Sequence, residues 1–267
     1  MPASRSTARA PKPAATFNLR WPLIILGLLI VFGCVIFALP ASLLARFLPK
    51  NVLAQDFSGS LWHGSAGSVT FNGRSAGAIE WHIHPAALFS LALNAEVHWV
   101  KGASVYDARV EATRHAVHAY QVHGGGPLAD LADFGLAAGW SGNLKVQLGE
   151  VASDFNKLIA LSGSVLATDL ASPRVLNGSS LGGYRVSFPA NPSSDGNLTA
   201  NLEDTGGPVA TRAQITLNLT TGTGLLSGTL QERAGASAAL HEQLENLAQL
   251  RPRDAQGRIP VELEFSL

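Results

Sequence analysis

Ile79-Glu80-Trp81-His82-Ile83-His84 sets apolar and polar residues at alternate positions, and a period of two is the period of a β-strand. Ile79, Trp81 and Ile83 face one way, with Glu80, His82 and His84 on the other side. The same alternation recurs outward from this hexapeptide. Leu91, Leu93, Ala95, Val97 and Trp99 oppose Asn94, Glu96 and His98, and Leu144, Val146 and Leu148 oppose Asn143, Lys145 and Gln147. Leu198, Ala200 and Leu202 follow, then Ile215, Leu217 and Leu219, then Val261, Leu263 and Phe265 against Glu262 and Glu264. Asn72-Gly73, Gly124-Gly125-Gly126, Asn177-Gly178, Asp195-Gly196 and Gly206-Gly207 punctuate the runs as expected turns. The fold class is therefore mainly β: an antiparallel sheet curled over its apolar side, groove-like or sandwich-like.

Helices are few. Pro85 to Phe89 and Pro127 to Phe134 each suffice for a turn or two. Ser237 to Leu250 predicts one C-terminal amphipathic helix, with Ser237 as its cap and Leu240, Leu244, Leu247 and Leu250 on one face. A last strand follows from Arg258 to Ser266.

The N-terminal region has a different character. Between Leu23 and Pro40 there is no charged residue, and about 20 apolar residues suffice to cross a bilayer as a helix. Arg5, Arg9, Lys12 and Arg20 precede the run, and no Asp or Glu occurs before Asp56. Positive residues stay on the cytoplasmic side, which places the N-terminus inside and the bulk of the chain in the periplasm. The run exceeds the apolar core of a signal peptide, and no well-placed Ala-x-Ala site follows it. The expected organisation is a basic cytoplasmic tail over 1–20, a transmembrane helix over 21–44, a tether over 45–57 and a periplasmic β domain over 58–267. The expected location is thus the cell inner membrane, with a single pass. One uncharged span offers no polar pathway for a transporter or channel.

The formal charge of zero conceals a division. Six of the nineteen basic residues (Arg5, Arg9, Lys12, Arg20, Arg46 and Lys50) lie at or before residue 50, which leaves thirteen against nineteen acidic residues beyond it. A surface near minus six excludes nucleic acid as an expected partner. The only cysteine, Cys34, lies within the apolar run, so no intrachain disulfide can form.

Catalytic patterns are missing: there is no Gly-x-Ser-x-Gly, no His-Glu-x-x-His and no phosphate loop. His82 and His84 on one strand face, with His98 on a later strand, suggest zinc only if the register brings three imidazoles to one ion. As the polar alternates of a solvated face they need no metal. His115, His118 and His123 fall in an expected hairpin, and Asp130 and Asp133 read as a helix-start pair or a carboxylate dyad. No catalytic, cofactor-binding or metal-ligating residue is assigned, and no cofactor is implied. Trp62, Trp81, Trp99 and Trp140 lie in or beside expected strands as core anchors, and Trp21 sits at the edge of the span.

Two short elements carry a family resemblance. Gly59-Ser60-Leu61-Trp62-His63-Gly64 is followed by Trp81-His82-Ile83-His84-Pro85-Ala86-Ala87-Leu88. The pair Gly-x-Leu-Trp-x-Gly and Trp-x-x-x-Pro-x-x-Leu resembles protein N of the bacterial type II secretion system. A basic tail, one span and a glycine-rich β domain agree with it. The resemblance implies an inner-membrane accessory component of the machine that exports folded proteins across the outer membrane. It implies no catalysis, contacts with other envelope components, and no binding residues that carry over. Gly59 and Gly64 are expected to permit a tight turn. The alternative reading is an envelope lipid-handling protein, with an acyl chain in an apolar β groove rather than a groove filled by the chain's own helix.

Overall fold

The computed structural model describes residue 28 and residues 33–46, 48–86, 92–134, 139–154, 157–173, 175–189, 196–219 and 221–266. The chain divides into two units, Met1–Leu39 and Pro40–Leu267. In the first, Leu28 and residues 33–37 are helical. Of the transmembrane helix expected over 21–44, residues 21–27 and 29–32 lie outside the described residues, as do the basic tail and Trp21. The described part departs from it after Phe37, because Pro40 bridges Ser60 and 41–46 form a 3-10 turn. Among the described residues no helix is long and apolar enough to cross a membrane.

The second unit is built on a single antiparallel sheet of 13 strands in strict sequence order. These are β1 (Val52–Gly59), β2 (His63–Phe71), β3 (Arg74–His84), β4 (Leu93–Lys101), β5 (Ser104–Ala112), β6 (Val117–Pro127), β7 (Ser141–Ser153), β8 (Leu158–Ser172), β9 (Val175–Phe188), β10 (Asn197–Gly206), β11 (Val209–Asn218), β12 (Thr223–Glu232) and β13 (Ile259–Ser266). Each strand pairs with its neighbours in sequence, and β1 and β13 form the two edges. Two packed sheets are thus not built. The sheet is open, because each strand pairs with the next in sequence and β1 does not pair with β13. Most connections are hairpin turns, while β6–β7 and β12–β13 are joined through helical segments.

Register converts the alternation into two continuous rows. One runs Phe57, Ala66, Ile79, Trp99, Tyr106 and Gly124 through β6, then Val146, Val165, Val186, Leu202, Ala213, Gly228 and Val261. All of these are buried or half-buried. The row on the opposite face runs Ser58, Ser65, Glu80, His98, Asp107 and His123, then Gln147, Ser164, Ser187, Asn201, Gln214, Ser227 and Glu262. Directly opposed residues share a face, so one polar and one apolar surface extend from edge to edge.

Two helical segments cover one end of the apolar face. The helix Ala238–Leu250 begins at Ser237, whose hydroxyl accepts the Leu240 N–H at 3.3 Å. Its Leu240 and Leu244 are buried against Val209 and Ile259, with Leu181 and Leu230 alongside. The 3-10 segment Leu128–Phe134 buries Leu128 and Leu131. Arg74 donates to the Asp133 carbonyl at 2.7 Å, and Lys101 lies 4.4 Å from the centre of the Phe134 ring. Both segments therefore meet the end of the sheet where odd-numbered strands begin. At the opposite end Pro40 bridges Ser60, and the 3-10 turn Ala41–Arg46 follows with Ala41 buried.

Several expectations need correction. Gly124-Gly125-Gly126 is not a loop but part of β6, where a Cβ on Gly124 would lie 2.2 Å from the Val105 carbonyl oxygen. The glycines serve close strand approach rather than chain reversal. Asn177-Gly178 likewise lies inside β9. The segment expected as a tether, 45–57, already contains most of β1. Asn72-Gly73 is a hairpin turn, with φ of 50° and 77°, the signature of a primed two-residue loop. Leu91, Asp195 and the end of the Pro85–Phe89 turn lie outside the described residues.

Candidate interaction surfaces

The N-terminal hairpin shows how local sequence shapes the site. Ser60 N–H donates to the His63 carbonyl at 2.8 Å, and His63 N–H returns to the Ser60 hydroxyl at 3.1 Å. Gly59 has φ 80°, a left-handed conformation that glycine adopts without strain. Gly64 has no room for a side chain: a Cβ would lie 2.6 Å from the Ser60 carbonyl oxygen and 2.7 Å from Trp81. The expected tight turn is present. Trp62 is buried, and the Trp81 indole donates to the Leu61 carbonyl at 3.0 Å. Trp99 donates to the Ala76 carbonyl and stacks on Tyr106 at 5.0 Å. These tryptophans anchor the first strands.

Asp130 and Asp133 form neither a dyad nor a helix start of the simple kind. One Asp130 oxygen accepts the Ala103 N–H at 3.0 Å, the Ser104 N–H at 3.1 Å and the Ser104 hydroxyl at 2.8 Å. Asp133 pairs with Lys101 at 2.9 Å. Both hold the 3-10 segment against the β4–β5 hairpin.

Three surfaces remain for partners. The first comprises the edges. At Asp56 β1 takes a left-handed φ of 57° without a change of register, and β13 carries Pro260, which has no N–H, with Glu262 and Glu264 beyond it. Prolines and charges on an edge restrain indiscriminate strand pairing. The second is the apolar face beyond the two helical segments, where Val165, Val186 and Leu202 are only half-buried and Leu263 on β13 is 57% exposed. Near its capped end a polar clasp is built in. The Asp204 carboxylate accepts the Thr211 N–H at 2.8 Å and pairs with Arg233 at 2.6 Å. Burial pushes the Asp204 carboxyl up, but the Thr211 and Arg233 hydrogen bonds outweigh it and hold the group below its ordinary value. Burial raises the nearby Tyr184 phenol.

The third surface is the polar face of β2 to β7. A concavity of about 720 Å³ lies there, lined by His63, His82, His98 and His123 among others. His82 and His84 share a face with His98, as expected, but they do not converge. The His98 ring nitrogen Nδ1 lies 2.6 Å from Asp107, while the His82 ring packs on His63 at 3.8 Å and on His84 at 4.7 Å. Among the described residues no group of three or more His, Cys, Asp or Glu could hold a metal ion. His118 and His123, expected in an exposed hairpin, belong to β6, and His118 lies 3.1 Å from Glu150. The contributions of His63, Asp107 and Arg109 depend on strand register, which sequence alternation does not fix.

No curated protein and no solved structure matches the chain. The family model for type II secretion system (T2SS), protein N matches residues 50–262, which span the whole sheet apart from its last few residues. The chain belongs to the type II secretion system protein N family, and is a component of that secretion system.

Proposed function

We propose that this chain is a non-catalytic component of the type II secretion system, anchored in the inner membrane, that supports protein export through contacts in the periplasm. The family match over residues 50–262 carries the reading. The proposed organisation is a cytoplasmic tail over 1–20, a single-pass span that ends by Leu39, and a periplasmic domain from Pro40 whose sheet starts at Val52. The basic flank and the absence of acidic residues before Asp56 support that orientation. Leu28, Val35 and Phe37 in the first unit are exposed apolar side chains, as a lipid-facing helix requires. The open edges of the sheet suit strand addition by other envelope components of the system.

The test is deletion of the gene, followed by measurement of secreted proteins in the medium. Periplasmic accumulation of exoproteins, reversed by the wild-type chain, is expected. Unchanged secretion together with an altered outer-membrane lipid balance would sink the reading. A photo-crosslinker at Gln55 or Glu264 then tests the edges.

One observation favours a second reading, a lipid held on the apolar face: Val165, Val186 and Leu202 lie in a row that the helical segments do not bury. Phospholipid bound in stoichiometric amount to the purified full chain, and lost in Val186→Glu, would give this reading the lead.

A further inference from the structure

Six of the eight histidines project from one face of β2, β3, β4 and β6: His63, His82, His84, His98, His118 and His123. The same face of β8 to β13 carries none, its central row there being Ser164, Ser187, Asn201, Gln214, Ser227 and Glu262. The carboxylates beside these histidines are Glu80, Glu96, Asp107, Glu111 and Glu150, and each has an imidazole opposite it or in contact. Glu80 opposes His98, Glu96 opposes His82, and Glu111 opposes His118. Asp107 lies 2.6 Å from His98 and 3.8 Å from His123, and Glu150 lies 3.1 Å from His118. Glu96 lies 3.7 Å from His84 and 3.4 Å from Arg109. Other charges are sparse: Lys145 on β7 and, in the β5–β6 turn, Arg114 and His115. Tyr120 stacks on His118 at 5.8 Å.

Resting on the proposed role of periplasmic contacts in export, we infer that this face docks a basic, Lys- or Arg-rich segment of a partner protein, and that protonation of the histidines releases it. Charge complementarity selects the occupant. With neutral imidazoles, five carboxylates face Arg109 and Lys145 alone on these strands, a balance of minus three. Imidazoles change charge between about pH 5 and 8. Each imidazolium adds one positive charge to this face, so four of the six suffice to reverse a balance of minus three. Protonation acts twice, because each imidazolium also engages the carboxylate beside it and removes it from the partner. The concavity of about 720 Å³ at His63, His98 and His123 gives the segment a seat.

The probe is a fluorescent eight-residue lysine peptide, titrated with the detergent-solubilised full chain at fixed ionic strength. Binding at pH 7.5 and at least tenfold weaker binding at pH 5.5 are expected. His82→Gln/His98→Gln/His123→Gln should retain most of its pH 7.5 affinity at pH 5.5. Glu96→Gln/Asp107→Asn should lose binding at pH 7.5, whereas Glu203→Gln/Glu262→Gln, in the other half of the sheet, should not. These positions are exposed or half-exposed, and circular dichroism verifies that each variant is folded. A pH-independent affinity in the wild type, an unchanged pH drop in the histidine variant, or equal losses in the two carboxylate variants overturns the inference. Those results leave the proposed role in secretion standing, since that role falls only to the deletion phenotype.

Discussion

Ser104 is fully buried, and the Asp130 carboxylate that receives its hydroxyl and N–H belongs to a different element 26 residues along the chain. Hydrogen bonds to a charged acceptor are worth about 1.5–3 kcal/mol, and buried donors left without a partner cost about as much. Asp130→Ala should therefore cost about 3 kcal/mol in chemical denaturation, with Asp130→Asn intermediate. Gly64→Ala puts a Cβ against the Ser60 carbonyl and Trp81, and should cost about 1–3 kcal/mol by overpacking. Asp204 makes a prediction in pH. Its folded value lies below the unfolded value of about 3.9, so the stability it contributes is present above that value and is lost as pH falls through the folded one. Arg233→Gln should be less stable than wild type at pH 6. The gap should narrow as pH falls through the folded value, below which both proteins carry a protonated Asp204. A gap that widens in acid would mean that Arg233 acts through something other than this carboxylate.

At the scale of elements, the C-terminal helix follows its sequence at the cap and through Leu247, whereas Leu250, expected on the same packed face, is 81% exposed at the helix end. Leu240 and Leu244 at helical spacing bury themselves on Val209 and Ile259, and Ser237 caps the first turn. Leu244→Ala should cost about 2–4 kcal/mol in thermal or denaturant unfolding, and Ser237→Ala about 1 kcal/mol. The strands were equally legible, since Ile79-Glu80-Trp81-His82 and its counterparts show the period of two directly. Glycine was ambiguous. In Asn72-Gly73 it supplies positive φ for a turn, but in Gly124-Gly125-Gly126 it supplies space between strands, and the letters alone do not separate the two uses. The histidine face was legible only in part. His82 and His84 declare a shared side by their spacing, whereas the meeting of His98 with Asp107 and of His63 with His82 is a product of register. Asp130 was beyond reach because its partners come from another hairpin.

Across the whole second unit, each strand pairs only with its sequence neighbours, so protection should follow position in the sheet. Amide hydrogen exchange should be slowest in β7, β8 and β9, which are the longest strands at 13, 15 and 14 residues, and fastest at β1 and β13. Uniform protection across all strands would instead mean one indivisible cooperative unit. The strict order of strands also has an architectural consequence. With neighbours about 4.8 Å apart, the twelve steps from β1 to β13 span roughly 58 Å along the sheet. An odd number of alternating strands leaves both rims with the same chain direction. Loss or gain of one hairpin would shift the distance between rims by about 10 Å while preserving that polarity and both surface rows. The sheet thus behaves as a ruler graduated in hairpins, whose length can be reset without redesigning either end.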